Sequence, residues 1–387
     1  MNLLLYDACS YTQNDIIDTL GYMGISYRNI LYKLTDLTQD DFFSYRFEKI
    51  VKENQYDAVF SVNYYPIIAK ICRNCHIKYI SWSYDSPLHI PEMEETLSFP
   101  TNYVFFFDRI EKERYAAKGF DTVYHLPLAV NSNRLSQMHM SPKEMEKYCS
   151  DISFVGQLYD STLPELMAPL NEYEKGYLTA ILEAQLHVYG YYFIEDLLTD
   201  TIMDNINKSY RRIGQTAISL TKNGLSGAIA KQITRMERLT LLSTLGELYQ
   251  TTLYSHQLDE SLSHLRYGGS VQYYTQMPYV FRYSKINLNP TLRSIQSGIP
   301  LRALDIMGSG GFLLSNYQPE LAEYFVNEKE VVMYESLEDA VEKAGFYLQH
   351  DTIRKKIAEN GYRKTTECFN YVDRMEEVFR ICKLGSY

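Results

Sequence analysis

The chain has 387 residues, enough for two domains that each carry a core. A hydrophobic share of 45% and a charged share of 22% are those of a globular protein and exclude a disordered or fibrous chain. The net charge of −10 excludes general nucleic-acid binding, because a phosphate backbone demands a basic surface.

Strand and helix signals alternate from the first residues. Leu3–Tyr6 reads as a strand, Gln13–Met23 as an amphipathic helix closed by Gly24, and Ser26–Tyr32 as a second strand. A polar helix over Asp40–Asn54, a buried strand over Ala58–Val62 and a helix over Pro66–Cys75 follow. Lys78–Ser83 and Tyr103–Phe107 read as strands, Arg109–Lys118 as a helix and Thr122–Leu126 as the last strand of this part. Such alternation predicts a doubly wound parallel sheet, whose ligands sit beyond the strand C-termini. The polar interval Asn131–Ser150 reads as a linker, which places a first domain over residues 1–145.

Asp151–Gly156 restarts the strand pattern, and a second domain is expected over 146–370. Its stretch 163–249 has helical apolar spacing, as in Leu178, Ile181 and Leu182 or Ile229, Ile233 and Met236. We read it as an insertion that packs on one face, not as a source of chemistry; its apolar spacing equally fits binding the acceptor or forming an oligomer. Strand signals resume at Thr252–Tyr254, Ser270–Tyr273, Ile286–Leu288, Phe312–Leu314 and Val331–Tyr334. Helices are expected over Leu337–Gln349, Thr352–Cys368 and Val372–Cys382, the last with an apolar face formed with Phe369, Met375, Val378 and Phe379.

Of the six cysteines only Cys72 and Cys75 have ligand-like spacing, and without a second pair they read as free buried thiols. The start, Met1–Asp7, has neither the basic residues nor the long apolar run of a secretory leader, so a cytoplasmic protein is expected.

The stretch Ser261–Leu304 holds no Asp or Glu, yet carries Arg266, Arg282, Lys285, Arg293 and Arg302. It runs into a helix, the glycines Gly308, Gly310 and Gly311, and the apolar Phe312–Leu314. A positive field beside a helix entry suits a phosphate, and Asp305, one turn after Arg302, is placed to take sugar hydroxyls. Arg302 and Asp305 could also pair with each other on the helix surface. The entry over Ser297, Gly298 and Pro300 favours the ligand, since a diphosphate there needs a bidentate donor. Lys285, Asn287 and Asn289 alternate along one strand and so share a face, read here as facing the ligand at the strand's C-terminal end; a solvated edge strand is the other reading. Gly156 and Gln157 close the first strand of this domain at a second phosphate-facing loop, and the late glycines serve the turn. For a base we look to acids after strands of the first domain: Asp7, Asp85 with His89, and Asp108. Asp85 leads because Trp82 lies beside it, an aromatic–acid pairing common in sugar sites, although Asp85 and Asp108 could equally cap a turn or helix.

Several of these segments together resemble the CgeB-like spore-maturation glycosyltransferases. They are Tyr283-Ser-Lys285-Ile-Asn287-Leu-Asn289, Arg302-x-x-Asp305 running into Gly310-Gly311-Phe-Leu-Leu, and Pro319–Phe325. Trp82-x-x-Asp85-Ser-Pro87 and Asp151–Gly156 are similar to the same group. The resemblance covers nearly the whole chain outside 163–249. It implies an α/β GT-B fold: two Rossmann-like doubly wound domains facing a cleft, the donor on the C-terminal one, and a final helix, 371–387, crossing back. It further implies transfer of a sugar from a nucleotide-diphosphate donor to a protein or surface-glycan acceptor, without a metal or other cofactor. In the broader retaining pattern two glutamates flank the donor; here Asp305 fits the second position and Ser297 stands at the first. A non-catalytic assembly protein on the same scaffold and a sugar-nucleotide epimerase are the alternatives.

Overall fold

A computed structural model describes residues 1–212, 214 and 219–385, and of residues 143 and 144 the backbone alone. The chain divides into two compact units, Met1–Gln137 with Thr365–Tyr387, and Met138–Lys364.

The first unit holds six parallel strands: β1 Asn2–Asp7, β2 Ser26–Leu31, β3 Ala58–Val62, β4 Lys78–Trp82, β5 Asn102–Phe106 and β6 Val123–His125. They lie in the order β2-β1-β3-β4-β5-β6. Parallel strands need crossover helices, so both faces of such a sheet are covered and its central strands are apolar throughout. Accordingly every residue of β3 is buried, and Leu4, Tyr6, Val59, Ile68, Tyr79, Val104 and Phe106 share one core. Helix entries are capped where the sequence offers an acid. Asp40 accepts from Phe43 N–H at 2.8 Å and Asp108 from Ile110 N–H at 3.2 Å. The final helix, Tyr371–Ile381, belongs to this unit and buries Tyr371, Met375, Val378 and Phe379.

The second unit has six more strands: β7 Ser150–Val155, β8 Thr251–Tyr254, β9 Arg266–Tyr267, β10 Ser284–Asn289, β11 Leu313–Asn316 and β12 Val332–Tyr334. All pair in parallel in the order β12-β11-β10-β7-β8-β9. The strand expected over Ser270–Tyr273 is absent, and the two-residue β9 lies just before it. The interval read as a linker is partly helical, at Ser132–Ser136 and Pro142–Met145, and the units divide inside it, between Gln137 and Met138.

The stretch 163–249 forms helices Leu163–Met167, Glu172–Leu186, Ile194–Leu197, Asp200–Arg212 and Lys222–Leu248 around a core of their own that includes Leu178, Ile206, Ile229 and Ile233. The last of these helices has two parts with different tasks. Its first half closes the helical core, whereas Leu241, Leu242 and Leu245 pack with Ile152, Leu253 and Ile286 of the sheet.

Candidate functional site

In the second sheet the chain enters at β7, builds outwards through β8 and β9, and returns to the other side of β7 at β10. Winding reverses between β7 and β10, and in open parallel sheets that reversal leaves a crevice at the strand C-termini. The bordering loops are 156–159 and 290–300. Loop 290–300 is buried along most of its length, which obliges its backbone to find partners. Thr291 N–H donates to Asn316 Oδ1 at 2.7 Å and Arg293 N–H to Thr234 Oγ1 at 3.0 Å. Ser297 donates its hydroxyl to Glu320 Oε1 at 2.7 Å.

The long helix Lys222–Leu248 supplies the rest. Arg238 spans the crevice: Nε and Nη2 donate to the Pro290 carbonyl at 3.1 and 2.6 Å, and Nη1 to the Gln157 carbonyl at 2.5 Å. Its guanidinium lies over the rings of Phe154 and Tyr159, 5.2 and 4.8 Å from their centroids. Beside it Glu237, fully buried, pairs with Arg293 at 3.0 Å and accepts from the Tyr334 hydroxyl at 2.9 Å. Arg235 reaches the Tyr159 carbonyl at 2.9 Å and pairs with Asp259. Both loops are thereby fixed by buried or half-buried side chains before any ligand arrives.

Helix Leu301–Gly308 starts where loop 290–300 ends, with Pro300 before its first turn. Its first N–H groups have no partner within the helix. Arg302 is half-buried, with its guanidinium 5.6 Å from the Phe281 ring centroid. Asp305 is buried and accepts from the Tyr273 hydroxyl at 3.0 Å. Gly310 takes φ +81° at the exit, and a Cβ on Gly311 would meet the Phe281 carbonyl at 2.6 Å, so the turn into β11 needs both glycines.

In the first sheet winding reverses between β1 and β3. Asp7, at the end of β1, accepts from Cys9 N–H at 2.8 Å and Asn29 Nδ2 at 3.1 Å. Asn63, just past β3 at φ +61°, donates to Asp85 Oδ2 at 2.7 Å and accepts from Tyr84 N–H at 2.8 Å. Burial, with the charges of Asp85 and then Asp7, pushes the Tyr65 phenol up to about 12, so it remains a hydrogen-bond donor beside both acids.

Residues 232–380 match the family model described as glycosyl transferase-like. No curated protein matches the chain. Among solved structures it is similar to Alr3699/HepE of Anabaena in complex with UDP-glucose, at 8% identity over 99% of each chain and a TM-score of 0.61. It is similar to sucrose-phosphate synthase of Thermosynechococcus elongatus at 9% identity, over 99% of this chain and 98% of that one, with a TM-score of 0.59. A glycosyltransferase of Rickettsia africae is 10% identical over 99% and 97%, with a TM-score of 0.56. The chain has the GT-B fold.

Within the GT-B frame the residues singled out in the sequence separate. Gly156, Gln157, Gly298, Arg302 and Asp305 all lie at the C-terminal edge of the second sheet or on the helix that starts there. Asp7 closes β1 and Asp85 follows β4, bonded to Asn63 beyond β3, and His89 is exposed on the same loop as Asp85. Lys285 is a correction: it is the second residue of β10, paired with Asp151 at 2.8 Å. At about 3.3 Å per residue it lies about 13 Å from the strand's ligand end. Asn287 is a second correction. Its amide is consumed inside the sheet, accepting from Ser153 at 2.8 Å and donating to Phe281 and Phe312 carbonyls at 2.9 and 3.2 Å. Asn289 is buried likewise and donates to Thr291 and Ser315 at 3.2 and 3.0 Å. The three share a face; at Asn287 and Asn289 it is covered by packing, as a parallel sheet requires, whereas Lys285 lies half open at the strand's start. Trp82 is the third correction, because it is fully buried with its indole N–H on the Leu126 carbonyl at 3.1 Å and has no face left for a sugar.

Reading the insertion as packing alone missed Arg235, Glu237 and Arg238. The signal for them was present: Glu237 and Arg238 fall among the buried positions of a mostly apolar helical face, and buried charges are retained when they are paired.

Proposed function

We propose that this GT-B chain is a nucleotide-sugar-dependent glycosyltransferase of the CgeB-like group, moving a sugar from a nucleotide-diphosphate donor to a protein or surface-glycan acceptor in the cytoplasm. The observation that carries the reading is loop 290–300, buried and tied by side chains, delivering the chain into the N-terminus of helix Leu301–Gly308. The diphosphate sits at that N-terminus, where backbone N–H groups and the Arg302 guanidinium offset the charge that grows on the leaving group. Groups already held in place need no reorganisation during reaction, which is where such sites gain most of their rate. Asp305, oriented by Tyr273, accepts from the ribose hydroxyls. With this positive charge supplied by the chain, the reading assigns no step to a metal. On the first unit Asp85, steadied by Asn63, takes the proton of the acceptor hydroxyl, a role that typically contributes ~10²–10⁴-fold.

Calorimetry with UDP, GDP and dTDP tests the donor site directly, and absence of binding to all three removes the reading. A panel of nucleotide sugars followed for free nucleotide then sorts the chemistry. Nucleotide release marks transfer or hydrolysis, an isomerised donor marks an epimerase, and silence with intact binding marks an assembly role. If Arg302→Ala leaves both affinity and nucleotide release unchanged, the diphosphate lies elsewhere.

A further inference from the structure

The loop that carries Asp85 is anchored from below by two buried carboxyl groups that share one hydroxyl. Ser86 Oγ lies 2.9 Å from Glu111 Oε2 and 3.1 Å from Asp108 Oδ2. Leu88 N–H donates to Glu111 Oε1 at 2.6 Å, so Glu111 holds the turn on both sides of Pro87. Ser86, Asp108 and Glu111 are 6%, 1% and 4% exposed.

A hydroxyl has one hydrogen. With both carboxylates ionised, one of the two contacts at Ser86 Oγ lacks a proton, and two like charges share a dry site. A single proton on Glu111 Oε2 removes both problems. Glu111 then donates to Ser86, Ser86 donates to Asp108, and Oε1 still accepts from Leu88. The proton is placed on Glu111 because the other oxygen of Asp108 already caps the helix Arg109–Ala117 by accepting from Ile110 N–H.

We propose that Glu111 is a positioning residue carried as the neutral acid, whose proton fixes the Tyr84–Leu88 turn that presents Asp85, and that ionisation of Glu111 releases this turn. Burial, backed by the Asp108 charge, raises the Glu111 carboxyl from 4.5 to about 8, while the bonds from Leu88 and Ser86 and the Arg114 charge pull it down less. Its own helix carries Arg109, Lys112, Glu113 and Arg114 besides Asp108 at the N-cap, and of these Asp108 and Arg114 act on its carboxyl. The Asp85 loop faces it with a hydroxyl and an amide, as Asp85 itself is bonded to Asn63 and His89 is exposed. From the helix Met93–Leu97, Glu94 is paired with Lys118. The folded-state value lies above the unfolded one, so the stabilisation is complete below about 4.5 and is lost as pH rises through about 8.

The role of Asp85 as base rests on the function proposed above, so the test begins with a readout that needs no substrate. Trp82, the single tryptophan, is buried four positions before Ser86 and reports the turn by fluorescence. Wild-type emission, with Leu88 amide-exchange protection, is expected to change with a midpoint near 8, and Glu111→Gln, which keeps a donor for Ser86 and an acceptor for Leu88, to abolish the change. Glu111→Gln should also flatten the fall in melting temperature between about 4.5 and about 8. Identical profiles for the two proteins overturn the proposal whether or not transfer is ever detected. If the profiles differ as expected, the alkaline limb of transfer should shift in Glu111→Gln with KM for the donor unchanged. An alkaline limb that stays in place rejects the link from the turn to Asp85, and absence of transfer in both proteins counts against the proposed function instead.

Discussion

Ser297 and Glu320 hold each other twice: the Ser297 hydroxyl donates to Glu320 Oε1 at 2.7 Å, and Glu320 N–H donates to the Ser297 carbonyl at 3.0 Å. Twenty-three residues apart, they join the loop entering helix Leu301–Gly308 to the first turn of helix Pro319–Tyr324. Ser297, read from the sequence as standing where the retaining pattern has its first glutamate, thus receives a buried carboxylate from the next helix. Ser297→Ala removes a donor from that carboxylate, and the expected cost is about 1–3 kcal/mol in urea denaturation. Donor affinity in calorimetry should fall with it, because the helix entry loses its tether. Unchanged affinity in a measurably destabilised protein would separate the tether from the donor site.

Arg238 makes a sharper case. Its three bonds tie the loops after β7 and β10 across the reversal point, and its planar fork is what lets one side chain reach both carbonyls. Arg238→Lys keeps the charge and loses the fork. Stability should drop by about 1.5–3 kcal/mol, the range for hydrogen bonds to a charged group, and nucleotide binding should weaken. A variant that melts and binds like wild type would show that the loops hold themselves.

Two ion pairs of the second unit should behave oppositely. Glu237 is enclosed with Arg293, so Glu237→Gln leaves a buried guanidinium undercompensated at an expected cost of about 3–5 kcal/mol. Lys285–Asp151 is half open to water, and Lys285→Ala should change stability by at most about 1 kcal/mol. Lys285→Ala should also leave nucleotide affinity intact, since the side chain sits at the wrong end of β10. Loss of binding in that variant would restore Lys285 to the donor site.

The contrast between Lys285 and Arg302 shows how far the sequence could be read. Alternating apolar runs and helices announce two parallel sheets, and Asp7, Asp85 and Gly156 lie at or just past strand C-termini because that placement depends only on strand direction. Period two correctly placed Lys285, Asn287 and Asn289 on one face. It carries no information on whether that face is covered, and in a doubly wound sheet both faces are. Glu320 and Glu111 were illegible for a different reason: each matters through a partner more than twenty residues away, Ser297 or Ser86, and no local pattern marks such a meeting.

The final helix offers a test that touches no proposed donor contact. Tyr371 sets its ring 5.9 Å from that of Trp82 and its hydroxyl 2.9 Å from that of Tyr84, which leads directly into the Asp85 turn. Arg374 donates to the Pro127 carbonyl at 3.1 Å, and Lys78 to the carbonyl of Cys382 at 2.8 Å. Asn370 caps the helix by accepting from Asp373 N–H at 2.9 Å. Four of its side chains, Tyr371, Met375, Val378 and Phe379, are buried in the first unit, and burial of each such side chain is worth roughly 1.5–3 kcal/mol. Against a total stability of ~5–15 kcal/mol, their loss is large. Ending the chain at Phe369 should therefore lower the melting temperature substantially, open Trp82 to quencher, and reduce transfer by loosening the Tyr84–Asp85 turn. Nucleotide affinity, which depends on the second unit, should survive at temperatures where the shortened protein is folded. A truncated chain with wild-type melting temperature and a shielded Trp82 would mean that this helix contributes nothing to the first unit.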